Sequence, residues 1–433
     1  MSEVELRARG RLRDLDESTV EAVLDREPMD DPDVRASVAA MLADVRVRGD
    51  TALREMAERF DGVLLGEIEV PRADCNAALA GIDRPVRAAL ERAATNIRRF
   101  HQAQLPAEVS LEVEPGVEVT RCWVPLSRAG VYAPGGTAAY PSSVLMGVLP
   151  AKAAGVDEVV VCSPPGPSGR PPVEVLAACA IAEADRVFSL GGAGAVAAMT
   201  YGTQSVPRAD VIVGPGNRWV TEAKCQVAGE VRIDSPAGPS EVLVLTDATS
   251  DPELAALELL AQAEHDTDAA CVLVSTSQEV ADAAVRALDA LLASAPRADI
   301  ARAALATAGA VLVADTIEEA LELTEAFAPE HLSIMTQNAA REARMIRNAG
   351  TTFVGASSSV AFGDYMTGAN HVLPTAGRAR SFSGLSTHHF LRSFTIQEIS
   401  DDGARAMAAD VATLAAAEGL PAHARAAAER GDG

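Results

Sequence analysis

At 433 residues the chain exceeds the usual size of one compact domain, and a hydrophobic content of 48% is enough for at least two buried cores. Lys and Arg total 37 against 61 Asp and Glu, and the resulting net charge of -24 repels phosphate backbones and anionic lipid, so no nucleic-acid or membrane partner is expected. The first ten residues mix charges of both signs, and no later stretch offers the roughly eighteen apolar residues of a membrane span; a cytoplasmic location is expected.

In chain order, the first ~130 residues read mainly as helices, over 31–60 and 84–104, with little strand signal. From about Ala151 onward, β-branched runs alternate with Ala-rich amphipathic stretches, the pattern of βαβ units and a parallel sheet. Strands are predicted over 159–162, 187–190 and 211–213, with helices over 172–184 and 193–200 between them. A second set of strands is predicted over 242–245, 271–274, 311–313, 332–335 and 352–354, with helices over 252–264, 278–292, 317–327 and 339–348. Two such sets indicate an α/β protein with two incomplete Rossmann-like domains, a helical N-terminal region and a small helical tail. Ligands of such folds settle beyond the carboxyl ends of strands, which makes the cleft between the domains the expected site. The tail beyond Asp401 is nearly all alanine and charge. It cannot build its own core and must pack on another domain or a second subunit.

Six cysteines are scattered without a CxxC pair, so they read as reduced thiols; Cys162, at the end of an apolar run, reads as structural rather than nucleophilic. The chemistry-bearing residues lie elsewhere. Gln262 and His265 stand three apart on a predicted helix capped by Ser250 or Asp251 and started by Pro252, which puts both on one face. A lone Q-x-x-H pair is more often an exposed helical pair than a metal site. It gains weight from Asp364 in FGDY, His371 in NHVLPT and His423 in EGLPAH, because only seven histidines exist. Zinc accepts imidazole and carboxylate well, and an amide oxygen as an unusual fourth ligand. Glu330 and His331 follow Pro329 at a helix-to-strand junction, where an adjacent acid and base could handle a proton. Backbone amides of GPGN at 214–217 and of AGPSE at 237–241 are candidates for holding phosphate, though each motif is also a common tight turn. Gly192, Gly194 and Ala197 match G-x-G-x-x-A by spacing, but no acidic residue ends a following strand at the required distance, which weakens the match.

The motifs RIDSPAGPSEVLVL, ELLAQAEHD, APEHL, FGDYMTGANHVLPT and EGLPAH, together with GDTALREMAERFD and GVYAPGGTAAYPSSVLM, closely resemble the histidinol dehydrogenase family, in order and over most of the chain. The resemblance implies one Zn2+ per subunit on Gln262, His265, Asp364 and His423. It implies substrate contacts from Ser240, His331, His371 and Glu418 and from those zinc ligands, proton transfer by Glu330 and His331, and NAD contacts at Tyr132, position 194 and Asn217. Position 194 is glutamine in the family's GGAQA and glycine here; the glycine is expected either to cost a cofactor contact or to serve a left-handed turn. The family's organisation implies a segment 1–26, a larger domain from 27–131 and 241–385 with the zinc and catalytic residues, an NAD-binding domain at 132–240, and a tail at 386–433. That tail would bring Glu418 and His423 into the site of the partner in a homodimer. The implied reaction oxidises histidinol to histidine through histidinal with two NAD, the last steps of histidine biosynthesis. The rival readings are a related dehydrogenase of another small alcohol such as a sulfonated diol, a zinc hydrolase without NAD, and a silent metal-binding scaffold.

Overall fold

The computed structural model describes residues 4–26, 31–135 and 139–431. Two six-stranded sheets dominate it. In the first, the spatial order is Ala8–Arg11, Gly309–Val313, Ala270–Ser275, Glu241–Thr246, His331–Ile334 and Thr351–Val354, all parallel. In the second it is Glu69–Val70, Arg186–Ser189, Glu158–Ser163, Arg128–Tyr132, Val211–Val213 and Arg232–Ile233, parallel except for the antiparallel Glu69–Val70. If the five consecutive strands of each sheet are numbered along the chain, both run 3-2-1-4-5, with one further strand from the N-terminal region added beside the third. Each sheet therefore reverses direction between its first and fourth strands, as in doubly wound folds.

The predicted strands form because both faces of each sheet are covered, so nearly every residue is apolar. Val242 and Val244 enter one core and Leu243 and Leu245 the other. Val159 and Val161 likewise face the core opposite to that of Val160 and Cys162. Burial of Cys162 pushes its thiol well up, which suits a packing role.

Four sequence expectations need correction. The helices before residue 103 were expected to join the larger domain, but they pack on the second sheet: Val34, Val38, Leu42 and Leu53 share a core with Phe188 and Met199, and Ala93, Ala94 and Ile97 share one with Leu145 and Leu176. The reason lies in the helices Pro141–Ala154 and Gly192–Tyr201, which are buried almost all round and need a second layer to cover their outer faces. The helix expected over 31–60 is broken at Gly49, whose φ of 54° separates Pro32–Arg48 from Asp50–Met56. The helix expected over 339–348 stops at Glu342, and the Glu325 carboxylate accepts from the amides of Arg347 and Asn348 beyond it. Finally, a three-stranded antiparallel sheet of Val109–Glu114, Val117–Pro125 and Leu391–Ile399 was not foreseen. Its signal was present in the alternation of Val109, Leu111 and Val113 before a Gly116 turn.

The tail forms two helices, Asp401–Ala417 and Pro421–Gly431, which flank an open hollow of about 900 Å³. Among the described residues no helix is long and apolar enough to cross a membrane.

Candidate active site

The acid and base sit where a helix is forced to stop. Helix Ile317–Phe327 ends in Ala328, a left-handed residue at φ 49°, and Pro329 prevents continuation. Glu330 and His331 then enter the strand His331–Ile334 at its amino end, each 5% exposed. Gly350 lets the neighbouring strand approach, since a Cβ there would come within 2.6 Å of the Glu330 carbonyl oxygen.

The backbone of Glu241 organises both side chains. Its N–H donates to Glu330 Oε2 at 2.7 Å, and its carbonyl accepts from His331 Nδ1 at 2.9 Å. A carbonyl can only accept, so Nδ1 carries the proton and Nε2 is the atom presented to the site. His331 Nε2 lies 3.5 Å from Asp364 Oδ1, too long for a good hydrogen bond, and is a buried nitrogen without a hydrogen-bond partner. Burial raises the Glu330 pKa to about 8. For His331 burial acts downward, but the nearby Glu330 and Asp364 carboxylates outweigh it and hold the imidazole near 9.

Asp364 rides on the short helix Val360–Tyr365, whose first amide donates to Glu258 Oε2 at 3.1 Å. Glu258 belongs to the helix Pro252–Ala263, so this bond ties the segment bearing Asp364 to the helix bearing Gln262. Asp251 caps that helix and Pro252 starts it, as read from the sequence. Its end differs from expectation. The helix closes at Ala263, and His265 lies in the following turn, with its N–H on Gln262 O at 3.2 Å. Gln262 is buried in the last turn of the helix, whereas His265 lies beyond its end and is exposed. The ring of His265 is nevertheless partly desolvated by its neighbours, which lowers its pKa against the charge of Asp364, while Asp364 is itself held below the usual carboxylate range by His331 against its own burial. His265 neutral and Asp364 ionised are the ligating forms of both groups.

His371 repeats the pattern of His331: Nδ1 donates to the Asp364 carbonyl at 3.0 Å, and Nε2 faces the Ser143 hydroxyl at 3.4 Å. Ser143 begins the helix that follows strand Arg128–Tyr132, so this contact joins the two sheets. A hollow of about 380 Å³ lined by His331, Phe353, Phe362, Asp364 and His371 opens here. Ser240 precedes strand Glu241–Thr246 on the same amino edge, half-buried. The site residues of the first sheet therefore gather at the amino ends of its strands and not, as expected, at the carboxyl ends.

In the second sheet the candidate cofactor residues lie at the carboxyl ends of the strands. Tyr132 ends its strand, 3% exposed, and its hydroxyl accepts from Gly192 N–H at 3.2 Å, while burial pushes its pKa to about 12. Gly194 is the third residue of helix Gly192–Tyr201 and its φ is not positive, so the left-handed turn falls on Gly192 instead, at 59°. Asn217 is exposed and caps helix Arg218–Val227, its Oδ1 accepting from Trp219 and Val220 N–H. Gly214 is held at φ 119° against Tyr132 by Asp234, which accepts its N–H, and by Lys224, which donates to its carbonyl; Lys224 and Asp234 form a fully buried ion pair. Several amides proposed for phosphate are thus already occupied. In AGPSE, likewise, Gly238 donates to Thr375 and Glu241 to Glu330.

Within one chain Glu418 and His423 do not join these residues. Both are exposed on the tail, His423 lining the hollow between its two helices. Among the described residues no three His, Cys, Asp or Glu form a metal-holding group. Sequence reading missed Arg26, Ser143, Glu258 and the structural part of Glu241. A charged residue heading the apolar run VLVL was the available signal, since such a group must find a partner.

The sequence profile of the histidinol dehydrogenases matches residues 24–431. The chain is 49% identical over 393 residues to a histidinol dehydrogenase of Haloarcula marismortui, covering 90% of this chain and 92% of that protein. It is 47% identical over 393 residues to one of Methanosarcina mazei, covering 90% of each. The crystal structure of histidinol dehydrogenase from Elizabethkingia anophelis superposes with a TM-score of 0.94 at 33% identity, covering 99% of this chain and 98% of that one.

Proposed function

The chain belongs to the histidinol dehydrogenase family of oxidoreductases, and from that premise we propose that it oxidises L-histidinol to L-histidine through L-histidinal, with zinc and two NAD. The observation that carries the proposal is the geometry of the Glu330–His331 junction, a buried carboxyl and an imidazole both oriented by one peptide and open towards Asp364 and His371.

The donor set suits zinc: Gln262, His265 and Asp364 lie on elements tied together through Glu258, and His423 would come from the partner. Zinc held there would orient the substrate's amine and imidazole and draw on the charge of Asp364 that otherwise favours a protonated His331. NAD would lie at the carboxyl edge of the second sheet against Tyr132, Gly194 and the amide NH2 of Asn217, and supplies the hydride acceptor in each oxidation.

His331 then takes the alcohol proton at Nε2 as hydride leaves the carbinol carbon, giving the aldehyde. Glu330 removes a proton from water as the water oxygen bonds to the aldehyde carbon. His331 returns its proton to the aldehyde oxygen, which completes the hydrate and frees Nε2. The hydrate then gives a hydroxyl proton back to His331 as its second hydride leaves, and becomes the carboxylic acid. His371, fixed by the Asp364 carbonyl and Ser143, would read the substrate together with Ser240 and the partner's Glu418.

The dimer is supported by exposed apolar residues on both faces of the three-stranded sheet. By its register Val109 and Leu111 lie on one face and Phe394 and Ile396 on the other, each more than 40% exposed, and Leu414 is 67% exposed on the tail. The proposal is tested by adding histidinol and NAD to the purified protein and counting NADH and histidine formed. It requires two NADH per histidine. Reduction of NAD by a sulfonated diol but not by histidinol would refute it.

A further inference from the structure

We propose that Arg26 is a positioning residue for the Glu330–His331 pair, acting through Glu241; this rests on the reading of that pair given above. Glu241 is 2% exposed, and its peptide groups hold both reacting side chains. Any tilt of this backbone moves the Glu330 carboxylate and the His331 ring together.

The tilt is fixed from the Glu241 side chain. Arg26 grips it with two bonds, Nε to Oε1 at 2.9 Å and Nη2 to Oε2 at 3.2 Å, and Ala376 N–H adds a third at 2.7 Å. The same guanidinium reaches the other arm of the site: Nη2 donates to Phe327 O at 2.6 Å, and its carbon lies 3.3 Å from the centroid of the Phe327 ring. Phe327 closes the helix three residues before Glu330. Arg26 thus bridges the head of strand Glu241–Thr246 and the elbow that delivers Glu330 and His331. Nη1 returns to Leu24 O at 3.1 Å, so the guanidinium is anchored at its base as well.

Stability alone does not account for this choice. Both partners are almost fully buried, with side-chain exposures of 8% and 3%, and a buried ion pair is commonly no more stabilising than apolar residues of equal volume. What the pair adds is direction, because a planar fork with fixed donors defines the orientation of a carboxylate. Lysine could supply the charge but not the simultaneous reach to Glu241 and Phe327. The N-terminal segment, which joins the first sheet as an edge strand and presents no reacting group, acquires through Arg26 a role in the reaction.

The test compares wild type, Arg26→Met, Arg26→Lys and the double variant Arg26→Met with Glu241→Leu, measuring thermal unfolding and the kcat and KM of histidinol oxidation. Arg26→Met is expected to lower kcat by about tenfold or more, since small misplacement of reacting groups is costly, with KM for histidinol changed less than about threefold. Arg26→Lys should fold like the wild type and recover only part of kcat. The double variant, with no uncompensated buried charge, should regain thermal stability while kcat stays depressed. A stable double variant with wild-type kcat would overturn the proposal, as would Arg26→Lys with full kcat or a loss confined to KM. If Arg26→Met does not fold, the other two variants decide. A wild-type protein that does not oxidise histidinol would refute the underlying reading instead, before any variant is compared.

Discussion

Glu330→Gln separates the two oxidations. Glutamine matches glutamate in volume and keeps an oxygen to accept the Glu241 N–H, so the 5% exposed pocket needs no repacking. What is lost is a proton acceptor. General base catalysis typically contributes about 10² to 10⁴ in rate, or roughly 3 to 5 kcal/mol at ~1.36 kcal/mol per tenfold. That loss should fall on the oxidation of histidinal, where water must be deprotonated. Oxidation of histidinol to histidinal, whose proton goes to His331, should fall less than about tenfold. Burial raises the Glu330 pKa from 4.5 to about 8, so its ionised, basic form grows as pH rises through about 8, and the rate on histidinal should rise with it. The linked effect on stability has the opposite sense. A carboxyl whose folded pKa is raised contributes stability that is complete below 4.5 and lost as pH rises through about 8. The metal-free wild type should therefore melt at lower temperature at pH 9 than at pH 5, and the variant should show a flatter profile. The assay supplies histidinol and histidinal separately and follows NADH in single turnovers. Equal losses on both substrates, or an unchanged pH limb in the variant, would refute the assigned roles.

Gly194→Gln restores the family's amide at a position with ordinary helical backbone. Its Cβ would come 3.1 Å from Met56 Sδ, which a half-buried, unbranched side chain can yield. One added neutral hydrogen bond is worth about 0.5 to 1.5 kcal/mol, so KM for NAD should fall by roughly two- to tenfold with KM for histidinol unchanged, and a rise in KM for NAD would contradict this. Lys224→Met leaves Asp234 charged and buried and frees the Gly214 carbonyl; denaturant unfolding should show a loss of about 3 to 5 kcal/mol, and less in the double variant with Asp234→Asn. A loss below 1 kcal/mol would show the pair to be solvated. Mixing inactive His265→Ala and His423→Ala chains under subunit exchange should restore activity, because one of the two sites in the mixed dimer collects only intact residues. Persistent inactivity after verified exchange would return the tail to its own subunit's site.

The sheets were legible because strands covered on both faces are continuous apolar runs, as at 242–245 and 159–162, and because turn residues punctuate them. What was not legible depended on allegiance between distant segments. Nothing local in the helix Pro32–Arg48 says that its Val38 and Leu42 cover Met199 and not the other sheet. The Q-x-x-H pair was visible as spacing, but the turn that ends its helix at Ala263 is set by the last-turn hydrogen bonds, which spacing does not encode. Arg26 and Glu241 are separated by 215 positions. Only the cost of burying each charge alone hints that they meet.

The two sheets share one strand order, yet the candidate residues lie at opposite edges, and electrostatics gives a reason. At the carboxyl edge of the second sheet the candidate cofactor residues surround helix N-termini, at Gly192 and Arg218, where the peptide dipoles present partial positive charge suited to a dinucleotide's phosphates. At the amino edge of the first sheet the candidate metal and proton-transfer residues surround helix C-termini. Gln262 and His265 flank the end at Ala263, and Glu330 follows the end at Phe327. Those ends carry partial negative charge, which favours a divalent cation and a transient imidazolium. Placing both ligands at carboxyl edges would set a cation against positive dipole ends. The contact of Ser143 with His371 at 3.4 Å joins the first turn of a second-sheet helix to the first sheet's amino edge, so the negative helix ends on one side and the start of a helix on the other meet at this histidine.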